Sequence, residues 1–143
     1  MITLVGVIGR QDKPLYLKTY ENERYSDARL IELAFAACDI FHERIETKAR
    51  LNDSYFGRLI ALEGILLFGS MSNTQIRFVI ALQEKTVVIN EGKVRHVLSR
   101  IQAEYTRAVM NPFHLARVDE NGPIVSSNMD RAISQIVASW SHS

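Results

Sequence analysis

Three strand-like segments follow one another in the middle of the chain, at residues 55–60, 65–71 and 75–82, with no helix-like segment between them. Parallel neighbours need a crossover of about a dozen residues or more, so strands this close in sequence pair antiparallel. One face of the third segment is apolar and carries Ile76, Phe78, Ile80 and Leu82. The middle of the chain is therefore predicted to form an antiparallel meander.

Two further strands are predicted before the meander. Residues 2–8 are short, β-branched and apolar, which is typical of a strand buried on both faces. Residues 9–14 contain Gly, Asp and Pro and mark a turn, and residues 15–20 then alternate with period two. A second turn is predicted at residues 72–74, because Asn73 tolerates left-handed backbone angles.

Helical periodicity replaces strand periodicity in the rest of the chain. Three segments carry apolar residues at spacings of three and four, at 26–45, 90–110 and 127–140. Ser26 is a candidate cap of the first helix, and Ser127 with Asp130 has the spacing of a capping box at the third. The order of elements predicts an α+β fold, in which one five-stranded antiparallel sheet carries helices on its faces.

Composition excludes several classes of protein. The chain has 143 residues, of which 47% are hydrophobic and 23% charged, as expected for a single globular domain at residues 1–143. Its net charge of +1 is too small to create the positive electrostatic potential that attracts nucleic acid. The longest apolar run, residues 64–69, falls far short of the roughly 20 residues that a membrane helix needs. The single cysteine, Cys38, lies among apolar neighbours and is predicted to be a buried, reduced thiol of a cytosolic protein.

The residue pattern predicts neither a catalytic nor a metal site. The four histidines are widely separated, and none has a second ligand at metal-site spacing. Polar residues on one sector of the first helix could in principle do acid–base work, but such residues usually form the solvated flank of an apolar stripe. They are Asp39, His42, Glu43 and Glu46. We therefore expect no enzyme, no metal and no cofactor.

A long loop begins where the second helix is predicted to end, at Asn111 and Pro112. It spans about fifteen residues, which is long for a compact domain. Either the loop is functional or Phe113 packs it against the core, and the sequence leaves both interpretations open.

This loop and the start of the last helix resemble the C-terminal signature of the sedlin family, through Asn111, Pro112, Phe113, Ser127 and Asp130. The likeness covers nearly the whole chain in the same order of elements, and its details are closest to the sedlin-like branch of the family. Further matching segments are Pro14-Leu15-Tyr16, Tyr55-Phe56-Gly57, Ser72-Asn73-Thr74 and Arg77-Phe78-Val79.

The resemblance implies a longin-like (profilin-like) fold, in which the five-stranded antiparallel sheet carries one long helix on one face and two helices on the other. It also implies a place in TRAPP. This complex tethers vesicles and promotes nucleotide exchange on Rab GTPases in endoplasmic reticulum–Golgi and intra-Golgi transport. The expected role is a scaffold or adaptor bound to other TRAPP subunits, namely an α-helical core subunit and a large peripheral subunit. The expected location is the cytoplasm. Rab GTPases and the membranes of the Golgi apparatus and endoplasmic reticulum would be reached only through the complex.

The resemblance also places a partner interface on the first helix. Asp39 matches an aspartate that recurs in the family, Phe35 lies one turn before it, and His42 stands where a second acid is common. Met129 is a second departure, because an aromatic residue is usual before Asp130. A solvated acid with no partner is the competing interpretation of Asp39.

The alternative function is a stand-alone longin-type regulatory domain that binds a SNARE or a small GTPase. A SNARE of this type would carry a coiled-coil heptad segment and a membrane anchor, and the sequence up to residue 143 offers neither pattern. A subunit of TRAPP is therefore the favoured hypothesis.

Overall fold

The structure of the protein is a computed structural model that describes residues 2–20, 25–47, 54–62, 64–83, 89–110 and 127–141. Within these ranges the chain forms five strands and three α-helices. The strands are β1 (Ile2–Ile8), β2 (Pro14–Thr19), β3 (Tyr55–Leu62), β4 (Ile65–Met71) and β5 (Arg77–Leu82). The helices are α1 (Asp27–Thr47), α2 (Glu91–Met110) and α3 (Ser127–Ser141).

The five strands form one sheet in the order β2-β1-β5-β4-β3, and every neighbouring pair is antiparallel. The predicted meander and the predicted opening hairpin are both present, and the pairing of β1 with β5 joins them. All seven residues of β1 are buried, because the strand has a neighbour on each edge and helices on each face. This confirms the prediction made from its apolar run.

Helices cover both faces of the sheet, as predicted. Among the described elements, α1 packs alone on one face, where its buried side chains meet those of the inner strands; among them are Leu30, Ala34, Phe41, Leu4, Leu67 and Val79. α2 and α3 share the other face, where the buried set includes Val94, Leu98, Ile101, Ile133, Val5 and Ile80. Burial of apolar surface on both faces at about 25 cal/mol per Å² is the main force that holds the three layers together.

Side-chain caps start the first two helices: the one at Ser26 was predicted, and the one at Asn90 lies where the second helix was predicted to begin. The Ser26 hydroxyl accepts a hydrogen bond from the Arg29 amide at 3.2 Å. The Asn90 side-chain oxygen accepts from the amides of Gly92 and Lys93 at 3.0 and 3.3 Å. Both caps satisfy amides that have no partner inside the helix.

The turn between β4 and β5 differs from the prediction. Its residue with left-handed backbone angles is Gln75, with φ of 67°, and not Asn73. The Ser72 amide donates to the Ile76 carbonyl at 2.9 Å, and the Ser72 hydroxyl accepts from the Ile76 amide at 3.2 Å. These bonds close a longer turn than expected, so β5 begins at Arg77 rather than at residue 75.

Candidate partner-binding surface

The outer side of α1 brings together the three residues that the sequence proposed as an interface. Phe35, Asp39 and His42 are separated by four and three residues and therefore lie along one side of the helix. Phe35 is half-buried at the border of the apolar stripe, whereas Asp39 and His42 are exposed. The arrangement places an aromatic ring, a carboxylate and an imidazole in a row on the surface.

At the His42 end of this row, an acid of the β1–β2 turn contacts both His42 and a buried arginine. His42 Nε2 lies 3.4 Å from Asp12 Oδ1, and the same oxygen accepts a hydrogen bond from Arg77 Nη1. The Arg77 side chain is only 5% exposed, while that of Asp12 is 40% exposed. Asp12 therefore neutralises a cation buried under α1 and at the same time presents its carboxylate at the surface beside His42.

The turn that carries Asp12 has an unusual backbone. Gln11 and Asp12 both have left-handed angles, with φ of 61° and 58°, and the Gly9 amide donates to the Lys13 carbonyl at 2.7 Å. Left-handed angles are unfavourable for residues with a side chain, although Asp tolerates them better than most. The ion pair with Arg77 offsets this cost, because an unpaired buried guanidinium would be far less favourable.

Cys38 lies under the same row and is a structural thiol. It is 1% exposed, and its Sγ donates to the Ala34 carbonyl at 3.6 Å. Burial raises the pKa of the Cys38 thiol to about 11, and the nearby Asp12 carboxylate acts in the same direction. The thiol is therefore protonated at neutral pH and is a poor nucleophile.

Asp130 connects α3 to the edge strand β2. It accepts a hydrogen bond from the Tyr16 hydroxyl at 2.7 Å and is bound by Lys18 Nζ at 2.9 and 3.0 Å. Lys18 also donates to the Ser134 hydroxyl at 3.2 Å. The Tyr16 hydrogen bond, followed by that of Lys18, holds the pKa of Asp130 below its usual value. Asp130 is thus a structural residue that fastens the last helix to the sheet.

The other residues of the C-terminal signature lie outside the described structure or at its border. Asn111, Pro112 and Phe113 lie outside the described residues. Ser127 is the first residue of α3, but the capping-box prediction depends on its side chain, which also lies outside the described part.

The free edge of β3 is partly covered by α1. Arg44 donates to the carbonyls of Phe56 and Arg58, each at 2.7 Å, and Gly57 between them has φ of 76°. The register of β3 against β4 also shifts twice along the strand. Capped carbonyls and bulges are devices that prevent a further strand from pairing at a sheet edge. The outer side of α1 is therefore a better docking candidate than this edge.

Sequence reasoning missed Asp12 and Arg77. The available signal was a lone arginine between Ile76 and Phe78, inside a segment that is otherwise apolar. A cation buried in a strand needs an acid nearby, but nothing in the local sequence indicates which acid supplies it.

The described part of the chain holds neither a candidate metal site nor a candidate membrane-spanning helix. Among those residues no group of three or more His, Cys, Asp or Glu could hold a metal ion. No helix there is long and apolar enough to cross a membrane.

A five-stranded antiparallel sheet with one long helix on one face and a helical pair on the other defines the longin-like class of α+β domains. The profile of the family described as Sedlin matches residues 7–139. The chain therefore belongs to the sedlin family, as its C-terminal signature suggested.

Three individual relatives share between 21% and 27% of their aligned residues with this chain, and the matches cover most of it. An uncharacterized protein of Schizosaccharomyces pombe is 27% identical over 141 residues, which cover 97% of this chain and 95% of the relative. The trafficking protein particle complex subunit 2-like protein of Xenopus tropicalis is 21% identical over 141 residues, covering 96% and 97%. The mouse protein of the same name is 21% identical over 118 residues, covering 80% and 84%.

Proposed function

We propose that this chain is a non-catalytic scaffold or adaptor subunit of the TRAPP complex and that it docks on neighbouring subunits through the outer side of α1. The observation that carries the proposal is the row formed by Phe35, Asp39 and His42, anchored from below by Asp12. Membership in the sedlin family and the names of its relatives support the choice of complex.

The chemistry of the row favours a partner with a basic side chain. Asp39 and Asp12 present carboxylates at the surface, and the half-buried ring of Phe35 offers an apolar contact beside them. A basic group of a partner that is desolvated against such an acid contributes to both affinity and orientation. A helical partner surface that carries an arginine or lysine next to apolar residues would fit this description.

Membership in the sedlin family supports a finer proposal. We place the whole of residues 1–143 in a single domain that works in endoplasmic reticulum–Golgi and intra-Golgi transport. An α-helical core subunit and a large peripheral subunit are the proposed neighbours. Rab GTPases and Golgi or endoplasmic reticulum membranes would be contacted through the assembled complex, from the cytoplasm, and no cofactor would take part.

Asp39→Tyr tests the docking surface. The substitution adds bulk and removes charge at an exposed helix position, where changes usually alter the free energy of unfolding by about 0.5 kcal/mol or less. Circular dichroism and the thermal midpoint should stay nearly unchanged, whereas loss of a buried interface acid costs about 2–5 kcal/mol of binding. The measurement is co-purification of TRAPP subunits with the tagged variant from cells.

Two further variants separate charge from bulk. Asp39→Asn keeps the shape of the side chain and removes only its charge, so we expect a weaker version of the same loss. Ser99→Tyr places the same ring at an exposed position of α2 and should leave co-purification intact. Normal capture of TRAPP subunits by the folded Asp39→Tyr protein would refute the interface, and unfolding of that variant would assign Asp39 to the domain's own stability instead.

A further inference from the structure

A groove opens at the end of the sheet, on the face that carries α2 and α3. It has a volume of about 410 Å³ and is lined by the turn between β1 and β2, the turn between β4 and β5, and α2. The lining residues are Gly9, Arg10, Lys13, Leu15, Thr74, Ile76 and Tyr105. The groove is separate from the outer side of α1, because Leu15, Ile76 and Tyr105 all pack with the core of the helical pair.

Part of the groove is lined by the apolar side chains of Leu15 and Ile76 and the ring of Tyr105, which are held in place by packing. Leu15 is 5% exposed, and Ile76 is partly buried beside it. The ring of Tyr105 meets that of Phe78 edge-on, with centroids 5.7 Å apart, which fixes one wall. An apolar side chain that enters the groove would thus meet a surface that is already formed.

The rim of the groove carries two cations. Arg10 Nε donates to the Thr74 carbonyl at 3.2 Å, which ties the two turns together across the rim. Within the described residues no carboxylate is paired with Arg10 or Lys13, since Asp12 of the same turn is directed to Arg77 and His42 instead. In the β1–β2 turn, Asp12 therefore lies towards α1, whereas Arg10 and Lys13 line the groove.

We propose that this groove binds a short acidic segment of a partner protein, with an apolar side chain on Leu15, Ile76 and Tyr105 and a carboxylate against Arg10 and Lys13. The volume lies within the range of ligand sites, about 300–1,000 Å³, but is too small for a folded domain. Among the described residues the groove is lined by two cations, and the net charge of the chain is +1, whereas a lipid surface or a nucleic acid is usually met by a broad basic patch. Complementary charge and the apolar part of the lining together match an acidic peptide.

A labelled peptide tests the proposal on the full chain. The probe is fluorescein-labelled, end-blocked Asp-Leu-Glu-Phe-Asp-Glu, and binding is followed by fluorescence anisotropy. We expect saturable binding that weakens as the ionic strength rises, because the cations are exposed to screening. A peptide with Lys in place of its acids, and one with Ala in place of Leu and Phe, should both bind much more weakly. Failure of the first peptide to bind the wild-type chain would overturn the proposal.

Variants locate the binding at the groove. Arg10→Glu with Lys13→Glu should weaken binding of the acidic peptide by about tenfold or more. Thr74→Trp keeps both cations but fills the groove and should weaken it as well. Arg100→Glu with Arg131→Glu makes the same change in net charge at exposed positions of α2 and α3 and should have little effect.

Two results would contradict the proposal even if the peptide binds. The first is equal weakening by both double variants, which would mean that only overall charge matters. The second is binding of phosphatidylserine vesicles that is tighter than binding of the peptide and is weakened by the groove variants. That result would assign the groove to a membrane. Thermal midpoints of all variants, compared with that of the wild type, ensure that each measurement concerns folded protein.

Discussion

Asp12 has two roles at the scale of the residue. One carboxylate oxygen accepts from the buried Arg77 and also lies 3.4 Å from the exposed His42, so the same group stabilises the domain and shapes its surface. The Nε atom of Arg77 is buried without a partner in the described structure. Arg77 therefore depends strongly on the one acid that neutralises it.

Asp12→Asn should lower stability through Arg77. Asn tolerates left-handed backbone angles as well as Asp does, so the substitution removes the charge but leaves the turn intact. We expect a loss of about 1–3 kcal/mol in the free energy of unfolding, because the Asn side-chain oxygen can still accept from Arg77 but no longer neutralises the buried guanidinium. Urea denaturation followed by circular dichroism measures it.

The double variant Asp12→Asn with Arg77→Met is the control. It removes the buried cation together with its partner, and replacing a buried ion pair by apolar groups is often nearly neutral. We expect it to be more stable than Asp12→Asn alone. If the two variants were equally stable, the ion pair would not explain the effect.

Asp130 makes stability depend on pH. The hydrogen bonds from Tyr16 and Lys18 lower the pKa of Asp130 in the folded chain below its ordinary value of 3.8. Its contribution is therefore complete at neutral pH and is lost as the pH falls below 3.8 and through the lower pKa of the folded state. The side chain is 48% exposed, so the contribution is screened by solvent.

Asp130→Asn should remove this pH dependence. We expect the variant to be less stable than the wild type by about 1 kcal/mol or less at neutral pH, with the difference shrinking in acid. Urea denaturation of both proteins at neutral pH and at about pH 3 checks the sign, since an unfolded Asp titrates near 3.9. A difference that grew in acid would contradict the assigned role.

At the scale of the element, the position of α1 depends on a missing side chain in β4. A Cβ atom at Gly69 would lie 2.6 Å from Leu59 Cδ1 and closer still to Phe41 Cζ. Phe41 of α1 therefore reaches the backbone of the strand, and its ring also packs against Phe56 with centroids 4.9 Å apart. Close approach at Gly69 sets the depth at which the helix sits on the sheet.

Gly69→Ala should be destabilising, although Ala is ordinarily the better residue for backbone entropy. Crowding in a packed core costs about 1–3 kcal/mol. Gly92→Ala is the control, because within the described structure its Cβ would meet the end of the Asn90 side chain at 3.2 Å, and this capping group can give by a few tenths of an ångström, whereas a Cβ at Gly69 meets packed core side chains. Thermal melts of both variants should show a marked drop for Gly69→Ala and little change for Gly92→Ala. Combining Gly69→Ala with Phe41→Leu should recover part of the loss, and no recovery would argue against the contact with Phe41.

At the scale of the whole molecule, the β1–β2 turn separates two surfaces. Its acid contributes to the outer side of α1, and its bases line the groove beside α2. The sheet lies between them, so one partner need not exclude the other. Two separate surfaces on a small domain are what an adaptor requires.

The isolated chain should not promote nucleotide exchange on a Rab GTPase. Exchange requires groups that displace the phosphates and metal of the bound nucleotide, and the sequence offers no such set. Release of a fluorescent guanine nucleotide from a Rab should proceed at its intrinsic rate with the chain at micromolar concentration. The assembled TRAPP complex serves as the positive control. Acceleration by the chain alone would refute a purely scaffolding role.

The elements and their order could be predicted from the sequence because they depend on local patterns. The apolar run of β1, the helical period of α1 and the cap at Ser26 each depend on residues that are close together in the sequence. The layering of helices on both faces follows from that order, since each apolar face must be buried. Helical spacing also predicts that Phe35, Asp39 and His42 lie along one side of α1, although their choice as an interface came from the resemblance to the sedlin family.

Only the tertiary structure decided which distant residues meet. Asp12 and Arg77 are 65 positions apart, and Tyr16 and Asp130 are 114 apart, so no local pattern links either pair. The left-handed residue of the β4–β5 turn was likewise decided by the hydrogen bonds that close it, at Gln75 and not at the residue with the better local preference. Local periodicity determines which side of each element is buried, whereas pairing of charges and closure of turns depend on where the packed layers bring the chain together.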